Sequence, residues 1–356
     1  MQQLCHPKME MRISICLITL FLIQGQVLKA DAPVAHLTVS GTAVLDPHAA
    51  PIRLRGFNVN WWAPPTDQDA SDIQHLGANC VRYMFGYNPK GVYEPAQVEE
   101  VERQIHYFTS RGIWVIPVVW KFEKPDPADP KKHLGPWNSP EINREFLAMW
   151  TDLMARLKND PYLAAWEPIN EPHEAAPAAI SAWYRDLVPR LRKIDPARPI
   201  VVEGANWSHA EDLTDEFIVD DPNIIYAFHM YYPYNYTTDI QKPPLAYPGQ
   251  WGKAYLENTI EPAKRFRDRH RVPVWCGEWG TKTEASNYDL WLQDVFAILE
   301  HDKFDWCIWS WTLQPHDPQN KSFDVNTQKK EVYRVVADLF RIANSQPGGG
   351  SALRDK

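Results

Sequence analysis

Residues 163–172 read LAAWEPINEP. The first four of them, from Leu163 to Trp166, form a short apolar segment of the kind that buried strands have, and polar side chains follow directly. A helical pattern precedes the segment, with Phe146, Met149 and Leu153 spaced as one buried stripe. A helix that leads into a short buried strand is the repeating unit of a parallel sheet covered by helices.

The same alternation of strand and helix patterns continues on both sides of this segment, from Ile52 to Ala343. The clearest helical stripe runs from Val98 to Phe108 and is followed by Gly112, a residue type that commonly ends helices. Eight strand candidates can be counted: Leu54–Asn58, Cys80–Met84, Trp114–Trp120, Leu163–Trp166 and onward, Ile200–Gly204, Ile224–Met230, Val274–Glu278 and Trp306–Trp311. Eight strands favour an α/β protein with a closed (β/α)8 barrel, the TIM barrel, over an open sheet.

The N-terminus has the pattern of an export signal. Lys8 and Arg12 precede an apolar run, Ile13–Ile23, which has the length of a signal-peptide core and is too short to span a bilayer. The sequence Ala30-Asp31-Ala32 then offers small residues for cleavage. We therefore predict a signal peptide over residues 1–32 and a secreted protein, extracellular or periplasmic.

The rest of the chain is predicted to form one domain. The barrel is expected over residues 33–343, and a small β-hairpin over Leu37–Leu45, with its turn at Ser40-Gly41, is expected to close its bottom. Residues 344–356 contain three successive glycines and are predicted to be a disordered tail.

Charge and composition narrow the class of partner. The formal net charge is -8 and no block rich in Lys or Arg occurs, which argues against a nucleic acid or an anionic membrane as the partner of the processed protein. The 16 Trp, 15 Tyr and 13 Phe are compatible with core packing and also with flat platforms for sugar rings. Composition leaves these two uses of the aromatic residues open.

The cysteines indicate neither a disulfide framework nor a metal site. Removal of the signal peptide would leave Cys80, Cys276 and Cys307, an odd number that lies inside apolar runs, so buried free thiols are expected. No cysteine pair has the spacing of zinc ligands, and no HExxH pattern occurs. We accordingly predict no metal and no cofactor.

Two strands end in a carboxylic acid. The fourth strand runs into Asn170-Glu171-Pro172 and the seventh into Gly277-Glu278-Trp279. Working residues of such barrels lie at the carboxyl ends of strands, and hydrolysis of a glycosidic bond with retention needs two carboxyl groups about 5 Å apart. The alternative for a single strand-end Glu is a solvated surface acid, but two in matching positions favour catalysis.

These two motifs resemble those of glycoside hydrolase family 5, within the clan of retaining (β/α)8 glycosidases. The resemblance covers roughly Ile52 to Leu339. It implies that Glu171 is the acid/base and Glu278 the nucleophile. It also implies that Asn170 hydrogen-bonds the 2-hydroxyl of the sugar in subsite −1.

Further strand ends resemble the same family. Arg82, in Cys80-Val81-Arg82-Tyr83, matches an arginine whose implied role is to keep Glu278 ionised. In His229-Met230-Tyr231, the implied roles place Tyr231 on the nucleophile and His229 near the acid/base and the sugar. Trp309 resembles the tryptophan that floors subsite −1. Each has an alternative: a structural ion pair for the arginine, a core histidine, and an ordinary core tryptophan.

Trp120 marks a departure from the family. Many members, the endocellulases among them, carry a His at the end of strand three, where this chain has Ile116-Pro117-Val118-Val119-Trp120. The shape of the negative subsites is therefore expected to differ from that of endocellulases. Trp120 is either a stacking platform, which we favour, or a hydrophobic residue of the barrel rim.

Four further tryptophans are candidate substrate contacts: Trp61, Trp62, Trp207 and Trp279. The first two follow strand one and are expected at distal negative subsites. Glu167 and Glu203 are expected to be hydrogen-bonded structural acids, because Glu167 shares strand parity with Glu171 but lies four residues deeper in the barrel.

The sequence thus predicts a monomeric, retaining, endo-acting β-glycanase that cleaves a β-1,4-linked glucan by double displacement. A β-mannanase and an exo-acting β-glucanase or β-glycosidase are the alternatives among enzymes, and a silent sugar-binding barrel is the non-enzymatic one. The mechanism requires a raised pKa for Glu171, and Arg82 and Tyr231 are expected to hold the pKa of Glu278 down.

Overall fold

The computed structural model describes the chain in these segments: residues 36–61, 64–86, 95–240, 242, 244–311, 323–325 and 330–345. The predicted signal peptide 1–32, Trp62 and the predicted tail from residue 346 onward lie outside them. None of the helices in these segments has the length and apolar character needed to cross a membrane.

Seven parallel strands and one bridging segment build the barrel. The strands of the described segments are β1 (Thr38–Ser40), β2 (Ala43–Leu45), β3 (Pro51–Ile52), β4 (Arg55–Asn60), β5 (Cys80–Phe85), β6 (Trp114–Val119), β7 (Lys124–Asp126), β8 (Asp129–Leu134), β9 (Ile200–Glu203), β10 (Ile224–Met230), β11 (Val274–Trp279) and β12 (Asp305–Ile308). The parallel sheet has the order β6-β5-β4-β12-β11-β10-β9. Leu163 and Glu167 bridge to β6, and Trp166 bridges to β9, all in parallel. This fourth predicted strand joins the two edges, so the predicted barrel is confirmed.

The long helices cover the outside of this cylinder. In chain order the helices are α1 (Asp67–His75), α2 (Pro95–Thr109), α3 (Pro140–Leu157), α4 (Pro177–Arg192), the short α5 (Ala205–Ser208) and α6 (Tyr234–Thr237), α7 (Lys253–His270), α8 (Tyr288–His301) and α9 (Lys330–Ser345). The short α5 and α6 follow the carboxyl ends of β9 and β10, and Asn206 and Trp207 within α5 have left-handed φ values. Ser139 caps α3 by accepting a hydrogen bond from the Ile142 N–H, and Pro140 supplies a preset first turn. Because α9 runs to Ser345, the first two residues assigned to the tail are helical.

A small antiparallel sheet closes the bottom of the barrel, as predicted. Strands β1, β2 and β3 pair in that order, and Gly41 forms the first turn with a φ of 57°. Leu37 and Val44 are buried in the cluster that fills the cylinder, together with Ile116 and Trp275. The small sheet thereby packs on the amino ends of the barrel strands.

The three cysteines of the barrel are buried free thiols, as predicted. Cys80 and Cys307 are both in register with Gly56, on the strands either side of it. Two strand spacings of about 4.8 Å separate their backbones, which exceeds the Cα separation of about 7 Å that a disulfide tolerates. A Cβ on Gly56 would lie 1.7 Å from the Cys80 carbonyl oxygen, so this position requires glycine.

Candidate active site

The two predicted carboxyl groups converge at the open end of the barrel. Glu171 follows the bridging segment, and Glu278 lies near the end of β11. One carboxylate oxygen of each and one ring nitrogen of His229 all lie within 4.8 Å of one another. Retaining glycosidases hold their two carboxyl groups about 5–5.5 Å apart, and inverting enzymes hold them farther apart. The spacing therefore suits attack and protonation at a single glycosidic bond.

Gly277 makes this convergence possible. The pairing of β10 with β11 shifts register between Phe228 and His229, so that His229 comes to lie beside Glu278. A Cβ on Gly277 would lie 2.6 Å from the Trp275 indole nitrogen and 3.0 Å from His229 Nε2. Any larger residue would push the histidine ring away from both acids.

Glu278 is held by two hydrogen bonds. Arg82 Nη1 donates to Oε1 over 2.7 Å, and the Tyr231 hydroxyl donates to Oε2 over 2.8 Å. Burial raises the pKa of Glu278, the charge of Glu171 acts in the same direction, and Arg82 and Tyr231 oppose them. Arg82 and Tyr231 thus lower the pKa of Glu278 as expected, but burial beside a second acid outweighs them, so the net shift is upward.

Glu171 is in a different environment. Its Oε1 lies 2.7 Å from His229 Nδ1, and its side chain remains 19% exposed. Burial raises the pKa of Glu171 to about 7, which keeps the carboxyl group protonated in mildly acidic solution. Burial also lowers the pKa of His229 to about 4, so the contact between the two is a hydrogen bond of a neutral imidazole.

Arg82 is fully buried below the two acids and joins five side chains. It donates to Asn58, Glu167, Asn170, Glu203 and Glu278. Glu167 receives two of these bonds, at 2.8 and 2.9 Å, and is a structural acid, as expected. Because the Asn170 carbonyl faces Arg82, its amide NH2 points to Glu171 Oε2, 3.4 Å away, on the cleft side.

Aromatic side chains line the cleft above the acids. The cleft has a volume of ≈ 500 Å³ and is lined by Trp120, Lys121, Asn170, Glu171, Trp207, His209, Tyr231, Tyr234, Thr238, Asp239, Glu278, Lys282, Trp309 and Phe323. Trp120, Trp207 and Trp309 thus lie where substrate contacts were predicted. Trp207 is 41% exposed and stacks on the His173 ring at 3.6 Å.

Two of the predicted tryptophans lie elsewhere. Trp279 is fully buried and packs edge-on against Trp306 at 5.5 Å, so its assignment as a substrate contact is wrong. It follows Glu278 directly, and strand alternation turns it outward to the helices. Trp61 is exposed beside Gly86 at the barrel rim but is not part of the cleft lining, and its role at a distal subsite stays a prediction.

The structure adds residues that sequence reasoning missed. Asn58 donates to the Gly277 carbonyl and accepts from Arg82, and so connects the nucleophile strand with the arginine. A polar residue within the apolar strand one was the available signal. Lys121 and Lys282 line the cleft without any motif that identifies them, because loop residues reach it only through the fold.

Within the described segments, two groups of side chains have donor atoms close enough together for a metal ion. They are Glu171, His229 and Glu278, and the deeper set Glu167, Glu203 and His229. The Arg82 guanidinium contacts Glu167, Glu203 and Glu278 directly. The same oxygens therefore already face a cation, which disfavours a second one among them.

The family model for cellulase, glycosyl hydrolase family 5, matches residues 45–315. The chain belongs to glycosyl hydrolase family 5. This family 5 protein is 24% identical over 272 residues to a β-xylosidase of Phanerodontia chrysosporium, covering 68% of the present chain and 56% of that protein. It is 22% identical over 318 residues to endoglucanase C of Acetivibrio thermocellus, covering 76% and 90% respectively.

Solved structures show the same fold. The family 5 chain superimposes on a hyperthermophilic endo-β-1,4-glucanase in complex with substrate with a TM-score of 0.66 at 19% identity, covering 80% of this chain and 96% of that one. It superimposes on Thermotoga maritima Cel5A in complex with cellobiose with a TM-score of 0.68 at 19% identity, covering 81% and 97%. These likenesses support the barrel architecture.

Proposed function

We propose that this protein is a retaining endo-β-1,4-glucanase. The observation that carries the proposal is the approach of Glu171 and Glu278 within 4.8 Å in two different environments. One carboxyl is hydrogen-bonded to a neutral histidine, and the other accepts from an arginine and a tyrosine. The endoglucanase names of several relatives support β-1,4-glucan as the substrate.

In the first step, Glu278 attacks the anomeric carbon while Glu171 gives its proton to the departing glycosidic oxygen. The C–O bond to the leaving sugar breaks, and a glycosyl ester forms on Glu278. Arg82 and Tyr231 hold the nucleophile's two oxygens and so fix its direction of attack.

In the second step, Glu171 takes a proton from water, and the water oxygen displaces Glu278 from the anomeric carbon. Esterification has removed the charge of Glu278 by then, which lowers the pKa of Glu171 and makes it a better base. The product keeps the anomeric configuration of the substrate.

The remaining roles fall to residues that line the cleft or contact Glu171. We infer that the Asn170 amide binds the 2-hydroxyl and that Trp309 floors subsite −1, with Trp120 and Trp207 as further stacking surfaces. His229 holds the Glu171 carboxyl in place. These residues bind the sugar or hold Glu171 in place, and none of them forms or breaks a covalent bond.

An exo-acting β-glycosidase is the second candidate. The similarity to a β-xylosidase favours it, and so does Trp120 at the position where endocellulases carry histidine, since the negative subsites then differ in shape. Both candidates share the two-step chemistry and differ in where the chain is cut.

Product analysis separates these candidates. The purified protein is incubated with mixed-linkage glucan, carboxymethyl cellulose, galactomannan, xylan and defined cello-oligosaccharides. An endoglucanase lowers viscosity early and releases mixed oligomers from glucans, whereas an exo-enzyme releases one small product. A 2-deoxy-2-fluoro glycoside, which slows the second step, should leave its sugar on Glu278 in a peptide mass map. Label on another residue would contradict the nucleophile assignment.

We further propose that the protein is exported, on the basis of the signal pattern in residues 1–32. N-terminal sequencing of the protein recovered from culture medium or periplasm tests this proposal. A mature terminus between Ala30 and Ala35 supports it, and an intact Met1 in a cell-retained protein contradicts it.

A further inference from the structure

A second pair of carboxyl groups lies beneath the first. Glu167 and Glu203 are both fully buried, and one carboxyl oxygen of each lies within 4.8 Å of the other. Two ionised carboxylates this close together in a buried site repel each other, which favours a proton on one of them. The proton-bearing member can be identified from the surrounding contacts.

Glu167 has the contacts of the ionised member. Arg82 Nε and Nη2 donate to its two oxygens over 2.8 and 2.9 Å, a bidentate contact that favours the carboxylate. Although burial opposes ionisation, Arg82 lowers the pKa of Glu167. Glu203 receives only one bond from Arg82, to Oε1 over 3.0 Å.

Among the described residues, Arg82 and His229 have the only basic groups within 4 Å of the Glu203 carboxyl. The titratable residues packed around it are Glu167, Glu171, Arg82, His229 and Tyr184. His229 Nε2 lies 3.7 Å away on a ring that is neutral, and Tyr184 accepts from the Glu203 main-chain N–H. Burial and the charge of Glu167 raise the pKa of Glu203 well above its ordinary value.

The other oxygen of Glu203 faces the active site. Its Oε2 accepts the main-chain N–H of Glu171 over 2.6 Å and also the Ser208 hydroxyl. Glu171 has a φ of 48°, and Ser208 ends a left-handed run of three residues that presents Trp207 to the cleft. Non-glycine residues adopt such φ values only where the surroundings hold them. Glu203 thus ties the backbone of the acid/base to the segment that carries an exposed cleft tryptophan.

We propose that Glu203 is the neutral member of a buried acid–carboxylate pair with Glu167, and that it is a positioning residue that orients Glu171 for proton transfer. This inference rests on the proposed role of Glu171. The proton lies on Oε1, because Oε2 already accepts from the Glu171 N–H and the Ser208 hydroxyl. Because Glu203 carries no charge, the single charge of Arg82 is shared by Glu167 and Glu278 alone.

The test compares three substitutions with a control. Glu203→Gln replaces a protonated acid by a neutral group of the same shape, which can donate to Glu167 and accept from Glu171. Glu203→Ala removes the acceptor, and Glu167→Gln removes the charge. Asp195→Asn breaks a buried ion pair with Arg198 at the other end of the barrel and controls for stability alone.

Glu203→Gln is expected to keep both limbs of the pH profile at their wild-type positions. Glu203→Ala should lower kcat by up to about 100-fold, since a reacting group displaced by about 1 Å can lose that much. Glu167→Gln should move the basic limb to lower pH, because loss of a negative charge favours ionisation of the acids nearby. Asp195→Asn should lower Tm without moving the profile.

Two results would overturn the proposal. If Glu203→Gln moves the basic limb as Glu167→Gln does, Glu203 is ionised in the native protein. If Glu203→Ala keeps wild-type kcat, it does not position Glu171. Infrared spectroscopy at about pH 8, above the pKa of Glu171, gives a readout independent of activity: the C=O stretch of a protonated carboxyl should be present in the wild type and lost in Glu203→Gln. A wild type without glycosidase activity would refute the proposed function and leave this infrared result to decide the pair.

Discussion

Buried charges occur at both ends of the barrel, and the two ends balance them differently. At the amino ends of the strands, Arg198 pairs with Asp195 at 2.6 Å and Arg55 with Glu300 at 2.6 Å. At the carboxyl ends, Arg82 alone contacts three acids: Glu167, Glu203 and Glu278. Arg198 lowers the pKa of its partner Asp195, whereas three buried acids around one arginine compete for its charge, which favours a proton on one of them. The imbalance distinguishes a site for proton transfer from ion pairs that support the fold.

The largest effect is expected when the nucleophile loses its charge. Glu278→Gln should lower kcat by more than about 10⁴-fold, the scale found on removing a catalytic nucleophile. Stability should be unchanged or higher, because one buried acid fewer competes for Arg82. Activity assays and urea unfolding on the same preparation measure both. Near-normal activity would rule out Glu278 as the nucleophile.

Substitution of Arg82 and of Arg198 should lower stability to a similar extent but should differ in its effect on activity. Arg82→Met and Arg198→Met each leave a buried acid unpaired, so each should lower the free energy of unfolding by about 3–5 kcal/mol. For Arg82→Met the loss should shrink as pH falls, since the stranded acids can take up protons. Only Arg82→Met should abolish hydrolysis. Equal losses of activity in both variants would mean that the difference between the ends is not functional.

Glu171 and Asp195, at opposite ends of the barrel, should contribute to the pH dependence of stability with opposite signs. The pKa of Glu171 is raised to about 7, so its contribution is complete below the ordinary pKa of 4.5 and is lost as pH rises through about 7. The loss amounts to about 3 kcal/mol at most, at about 1.4 kcal/mol per pKa unit. Arg198 and bonds from Trp166 and the backbone lower the pKa of Asp195 despite its burial. Its contribution is present above the ordinary pKa of 3.8 and is lost as pH falls through the lowered value.

Unfolding in urea across this pH range tests both signs. Glu171→Gln should remove part of the decline between about pH 4.5 and 7, and the remainder comes from Glu278 and Glu203, whose pKa values are also raised. Asp195→Asn should remove part of the decline in acid. The activity of the wild type should fall above about pH 7 for the same reason, because the acid catalyst loses its proton. An activity that still rises well above that pH would contradict Glu171 as the acid.

The barrel could be predicted from the sequence because each strand and helix carries its own period. Strand β10 was predicted with the bounds it has, Ile224–Met230, and the fourth strand was recognised although it pairs only through isolated bridges. Glu171 and Glu278 could be placed because strand ends meet at one face of a barrel.

The balance of charge among the buried acids around Arg82 could not be predicted from the sequence. Arg82 and Tyr231 lower the pKa of Glu278 as expected, but burial and the neighbouring acid raise it further, and these depend on the folded structure. Glu203 was expected to be a structural acid, but its bond to the Glu171 N–H depends on how two loops approach each other. Trp279 was wrongly assigned to the substrate because it follows Glu278 directly. Side chains alternate along a strand, so Trp279 points to the opposite side from Glu278 and is buried.

The smallest effect is expected at the cleft wall. There the exposed Trp207 should affect activity, whereas the buried Trp279 should affect stability. Trp207→Ala removes a stacking surface that is 41% exposed, so kcat/KM on long oligosaccharides should fall by about tenfold, equivalent to about 1.4 kcal/mol, with Tm unchanged. Trp279→Ala, at a fully buried ring, should instead cost about 3–5 kcal/mol of stability and show no preference for chain length. Kinetics on cello-oligosaccharides of increasing length measure the difference. If Trp207→Ala lowers kcat/KM equally at every oligosaccharide length, the ring does not bind a sugar. It would then support Glu171 through His173, on which it stacks and whose Nδ1 lies 2.6 Å from the Glu171 carbonyl oxygen.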